Sequence, residues 1–164
     1  MHPSLRYFLI VVSVGGGFAG FSDALQKIIL SWSDAPTSSF VLLAIMACLF
    51  AFVTYSGVAF IDDPQRLRPL LASFLIQTPV FFSPLISFKF GVGLPIYVYV
   101  VIVTRYVGTG GRVGFDFTLS FLKPDRFTLG LNLFALAIVI WLVLHAVKRL
   151  SAPNQSLERT DSAD

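Results

Sequence analysis

Apolar positions along the chain fall into long unbroken runs rather than into the narrow stripes of a water-facing helix. Phe40 to Ile61 (FVLLAIMACLFAFVTYSGVAFI) carries no charge, and at about 1.5 Å per residue it reaches about 33 Å, enough for a hydrocarbon core near 30 Å. The run predicts a transmembrane helix. Leu129 to Val147 (LGLNLFALAIVIWLVLHAV) predicts a second, closed by Lys148 and Arg149 as basic anchors. Leu70 to Phe88 (LLASFLIQTPVFFSPLISF) is also uncharged and long enough to span, with Pro79 and Pro84 breaking its middle. Between it and the Phe40 run lies DDPQRLRP, a tight surface turn that makes the two an antiparallel hairpin.

The N-terminal run from Tyr7 to Ser22 follows Arg6 and contains Gly15, Gly16, Gly17 and Gly20. It reads either as a signal peptide, with Gly17 and Ala19 at small cleavage positions, or as a retained helix that continues through Ala24 to Trp32. The retained helix is the reading adopted. Phe90 to Thr104 is short for a span and dense in β-branched and aromatic residues, which suits a strand. Val113 to Phe121 alternates apolar with Gly114, Asp116, Thr118 and Ser120, the period-two pattern of a half-buried strand. With Gly108-Thr109-Gly110-Gly111 as its turn, the region 96–121 predicts a β-hairpin.

These segments give an all-α membrane protein of one domain, 1–150. It is a four-helix transmembrane bundle (5–30, 40–61, 70–88 and 127–149) with a small β-hairpin between helices three and four. A fifth helix at Phe90 to Thr104 is the competing topology. It would carry Arg105, Arg112, Lys123 and Arg126 to the side that holds Arg6, Arg66 and Arg68, as the positive-inside rule prefers; with four helices that side holds Arg6, Arg66, Arg68, Lys148 and Arg149. The polar segment 151–164 predicts a disordered tail.

Composition agrees with this placement. Of 164 residues 55% are hydrophobic and 13% charged, and 17 are Phe; mean hydropathy is +0.79. Soluble domains carry about 25% charged residues. The net charge of +3 belongs to basic loops facing anionic lipid rather than to a nucleic-acid surface. The single cysteine, Cys48, lies in the longest apolar run and forms no intrachain disulfide.

Candidate chemistry is sparse. Asp23 and Lys27 stand one helical turn apart, as an interfacial ion pair or a proton or ion site. Gly16 and Gly20 form a small-xxx-small helix-packing face. Gln77, Thr78 and Ser83 put polar groups at the broken centre of the third helix, where discontinuous helices hold substrates in transporters. His145 has no second ligand at metal-binding spacing, and no Ser/His/Asp set, Gly-x-Ser-x-Gly or phosphate loop is present. No cofactor, metal or catalytic residue is expected, and the chain is read as not an enzyme.

Ala152 to Thr160, APNQSLERT, resembles the tails formed when a bacterial reading frame runs into the recombination site of a mobile integron gene cassette. That resemblance covers about a tenth of the chain and implies a bacterial source and a dispensable tail. FGVGLP (Phe90 to Pro95) and LGLNLF (Leu129 to Phe134) resemble a pattern in small uncharacterised bacterial integral membrane proteins. The expectation is a multi-pass protein of the bacterial inner membrane whose partners are the lipid bilayer and a membrane protein or a second copy. It acts by binding a partner protein or lipid, with Arg105, Arg112, Lys123 and Arg126 as contacts. The competing expectation is a small oligomeric transporter or channel with a path past Asp23, Gln77, Thr78 and Ser83.

Overall fold

Largely apolar sequence starts the chain as one helical rod, α1 (Pro3–Ile10) and α2 (Gly16–Leu30), joined through a single π-helical segment at Val11–Gly15. The computed structural model describes residues 3–31, 36–122 and 126–150, with backbone only at 149 and 150. The rod packs against α3 (Thr37–Asp62). Close approach is possible because the contact positions lack side chains. A Cβ on Gly17 would lie 2.9 Å from the Thr54 nitrogen, and one on Gly20 would lie 2.2 Å from the Phe50 ring. On α3, Gly57 faces Ser13 and Val14 of the π-helical segment in the same way. Arg6 donates to the Ile61 carbonyl at 3.0 Å, so the start of the rod lies beside the end of α3.

After a short turn, α4 (Leu67–Gln77) carries Pro69 in its first turn and stops two residues before Pro79. Pro79 has no N–H, and it stands at the first residue of β1 (Pro79–Phe82), where a strand tolerates it. There follow β2 (Ile86–Gly93), β3 (Ile96–Val101), β4 (Tyr106–Gly111), β5 (Gly114–Phe121) and β6 (Thr128–Asn132), then α5 (Leu133–Leu150). All pairings are antiparallel, in the order β4-β3-β6-β1-β2-β5.

The predicted all-α bundle is therefore corrected to a mixed α/β fold. Segment 70–88 is not one broken helix, because the residues from Pro79 onward alternate and pair as strands. Segment 127–149 opens as β6, and its helix begins only where Asn132 caps Ala135 through Oδ1 at 3.3 Å. The hairpin predicted over 96–121 is half right. β3 and β4 pair with each other, but β5 pairs with β2 across eight positions. The glycines assigned to its turn lie inside β4, and the turn is at 102–105, where Arg105 takes a left-handed φ of 50°. The expectations for Lys123 and for the tail 151–164 fall outside the described residues.

Two buried clusters hold the halves together. Leu9, Val12, Phe60, Leu70, Phe74, Ala135 and Leu142 join the rod, α3, α4 and α5. Met46, Phe50, Val53, Phe90 and Val92 join α3 to the sheet, with Phe115 and Phe117 packed on them. Among the described residues two helices, Pro3–Leu30 and Thr37–Asp62, are long and apolar enough to cross a membrane.

Candidate functional site

Strand alternation divides the sheet into two unlike faces. The register places Phe81, Leu129, Leu131, Val98, Val100, Phe88, Phe90, Phe117 and Phe115 on one face. The opposite face carries Val80, Phe82, Lys89, Gly91, Tyr97, Tyr99, Asp116, Thr118, Thr128 and Asn132.

The sheet also rolls up. Five inter-strand spacings would put the edges of a flat six-stranded sheet about 24 Å apart. Yet Gly111 ends one edge strand and Gly114 begins the other, three Cα steps and at most about 11 Å away. The Arg112 N–H donates to the Pro95 carbonyl at 3.2 Å and ties this connection to the one between β2 and β3. No ladder joins β4 to β5. The polar face is inside, and all six strands line one cavity of about 370 Å³.

Within this cavity the Lys89 ammonium lies 2.8 Å from an Asp116 oxygen, with side chains 23% and 20% exposed. The strand register sets this contact: Asp116 stands opposite Gly91, one diagonal from Lys89, where no side chain intervenes. The Lys89 nitrogen also sits 5.5 Å from the Tyr97 ring centre, a cation–π arrangement. Tyr99 lies across Gly108, whose absent side chain would meet its ring at 2.5 Å.

At the end nearest the helices, Tyr97 Oη and Asn132 Nδ2 are buried without a hydrogen-bond partner. Both pack directly on Gly91, where a Cβ would lie 2.6 Å and 3.1 Å from them, and of the two Tyr97 lines the cavity. Asn132 is held in this orientation because its Oδ1 accepts from the Ile96 and Ala135 N–H groups. A tyrosine phenol keeps its proton at neutral pH, so Tyr97 brings a donor to the cavity wall. A neutral ion pair beside such a donor suits a polar group that carries an acceptor oxygen. Among the described residues no three His, Cys, Asp or Glu side chains converge as metal ligands.

The residues singled out from the sequence lie elsewhere. Asp23 and Lys27 form a 2.7 Å ion pair on α2, with Lys27 also over Phe117 at 4.6 Å. Gln77 is buried: it donates to the Ser73 carbonyl and accepts from the Val92 N–H at 2.8 Å, joining α4 to β2. Thr78 donates to the Phe74 carbonyl, and Ser83 exchanges hydrogen bonds with Ile86 in the β1–β2 turn. Among the described residues no hydrogen bond or ion pair joins Asp23, Gln77, Thr78 and Ser83 into one path. Gly20 packs on α3 and Gly16 on Val92, so this glycine face is used inside the protomer. Arg105 and Arg126 lie at the sheet end remote from α4 and α5, while Arg112 lies at the near end.

Lys89, Tyr97, Tyr99 and Asn132 were not among the sequence candidates. Their signal was present in I-S-F-K-F-G-V-G and T-L-G-L-N, both strictly alternating, but the surrounding apolar runs masked it. Compared with protein-family models, with curated proteins and with solved structures, the chain gives no significant match.

Proposed function

We propose that the chain is a non-catalytic membrane component that binds the polar head of a membrane lipid inside its rolled sheet. The observation that carries this reading is the Lys89–Asp116 pair beside the unpartnered Tyr97 donor, in a cavity lined by all six strands. Ionisable groups at membrane depth characteristically pair and face an internal cavity, as these do.

Membrane placement is supported by the two long helices, in each of which only a third of the most apolar window is buried. A core helix of a water-soluble protein would hide most of that surface. Lipid takes the place of water around Tyr7, Val11, Phe18, Val41, Tyr55 and Val58. The lipid-binding expectation is thus kept, with its contact surface moved from an exposed hairpin to the sheet interior.

Purification from native membranes in mild detergent, followed by solvent extraction and mass spectrometry, tests the reading. The expected result is one lipid class at near-stoichiometric recovery, lost in the double variant Lys89→Met/Asp116→Leu. Equal recovery from that variant, or a bound water-soluble solute in place of a lipid, would contradict it.

A further inference from the structure

The helices, α4 with β1 and α5 with β6, run between two ends of the molecule. At one end lie Arg6, hydrogen-bonded to Ile61, and the Asp63–Arg66 pair. Lys148 lies toward the same end, because α5 leaves the sheet beside α4 and runs back along it. At the other end the turns of the sheet meet: Leu122 donates to the Leu85 carbonyl and Ile102 to the Phe127 carbonyl. Arg105 and Arg126 are exposed there.

Each route between these ends has the reach of a bilayer. The rod Pro3–Leu30 and α3 extend about 42 Å and 39 Å at 1.5 Å per residue. The continuous stretch 67–82, α4 and then β1, covers about 30 Å, and 128–150, β6 and then α5, about 43 Å. A bilayer measures about 30 Å across its hydrocarbon and about 40–45 Å with its headgroups.

Helices α2 and α3 cover only the β2–β5 half of the outer sheet face. On the other half Ile96, Val100, Val107, Leu129 and Leu131 are between 41% and 60% exposed, and none of that face is charged. The exposed surface continues without a break from Val98, Val100, Leu129 and Leu131 to Leu133 at the start of α5. From there it runs along Ile140, Val143, Leu144 and Val147.

From this we infer that the open half of the outer sheet face is a lipid-facing surface at membrane depth, occupied by bilayer hydrocarbon. The stretches 67–82 and 128–150 then cross the membrane as half helix and half strand. The inference rests on the membrane placement proposed above. Bilayer hydrocarbon fits better than a second copy because the apolar band follows the full distance between the charged ends and continues onto a helix. The edge strands β4 and β5 approach at Gly111 and Gly114, and both line the polar cavity, where non-helical backbone at this depth is tolerated.

Site-directed spin labels on single cysteines test this. Val100→Cys, Leu131→Cys and Ile140→Cys, each in a Cys48→Ala background, are reconstituted in phosphatidylcholine vesicles. Collision rates with oxygen and with a water-soluble nickel chelate are then compared. At positions 100 and 131 the expected result is high oxygen and low nickel accessibility, equal to that at 140. Nickel accessibility at 100 and 131 with 140 still in lipid would place the sheet in water and overturn the inference while sparing the membrane reading. Low accessibility to both reagents at 100 and 131 would mean a protein cover and overturn it as well. Nickel accessibility at all three would remove the membrane placement itself.

Discussion

Lys89 and Asp116 meet at 2.8 Å across two neighbouring strands because Gly91, the residue opposite Asp116, leaves the diagonal between them open. Removing one partner of a fully buried pair costs about 3–5 kcal/mol. With about a fifth of each side chain open, solvent screening reduces the expectation for Asp116→Asn to about 1–3 kcal/mol. Lys89→Met/Asp116→Leu, which removes both charges, should unfold within about 1 kcal/mol of the parent. Denaturant unfolding in detergent micelles checks both. A double variant less stable than either single one would show that the pair holds the sheet together.

Gln77 tests the joint between helix and sheet. Gln77→Leu leaves the buried Val92 N–H without its acceptor, and a loss of about 1–3 kcal/mol is expected. Amide exchange at Val92 should accelerate by at least tenfold, while recovery of the bound lipid stays near that of the parent.

The glycines of the rod separate packing from simple helix propensity. Gly20→Ala places a methyl against the Phe50 ring and Gly17→Ala places one against the α3 backbone. Each should destabilise by about 1–3 kcal/mol. Gly15→Ala meets nothing within 4 Å and should be neutral or stabilising by up to about 1 kcal/mol. Oligomer size in detergent should not change in any of them, since Gly17 and Gly20 pack inside the protomer.

Sequence patterning carried the apolar segments but not their conformation. Phe40 to Ile61 is apolar on all sides, and helix is the way so long an uncharged run satisfies its backbone in lipid. Leu70 to Phe88 and Leu129 to Val147 have the same length and polarity, so hydropathy alone cannot separate a helix from a helix followed by a strand. The distinction lies in Pro79, which starts a strand, and in Asn132, which caps a helix. The alternation in 113–121 did reveal which side chains of β5 share a face. Its partner was hidden, because β2 is distant from β5 in sequence and β3 and β4 intervene. The cavity was illegible for the same reason: its residues come from six strands whose order is set by long-range pairing.

Gly91 probes the Tyr97 donor directly. A methyl in Gly91→Ala would crowd Tyr97 Oη, Asn132 Nδ2 and Pro95 and displace the Tyr97 hydroxyl at the cavity wall. Lipid recovery should fall at least tenfold with the circular-dichroism spectrum unchanged. Retained recovery would exclude this donor from the binding site.

The most direct test of the cavity as the binding site is protection of a cysteine placed in its wall. Thr128 lines the cavity, and Thr128→Cys in a Cys48→Ala background is close to isosteric. Its modification by a small water-soluble thiol reagent is timed in three samples: protein as purified, protein stripped of lipid, and stripped protein given back its own lipid extract. The expected result is slow modification, then at least tenfold faster, then slow again. One common rate in all three samples would contradict binding of lipid inside the sheet.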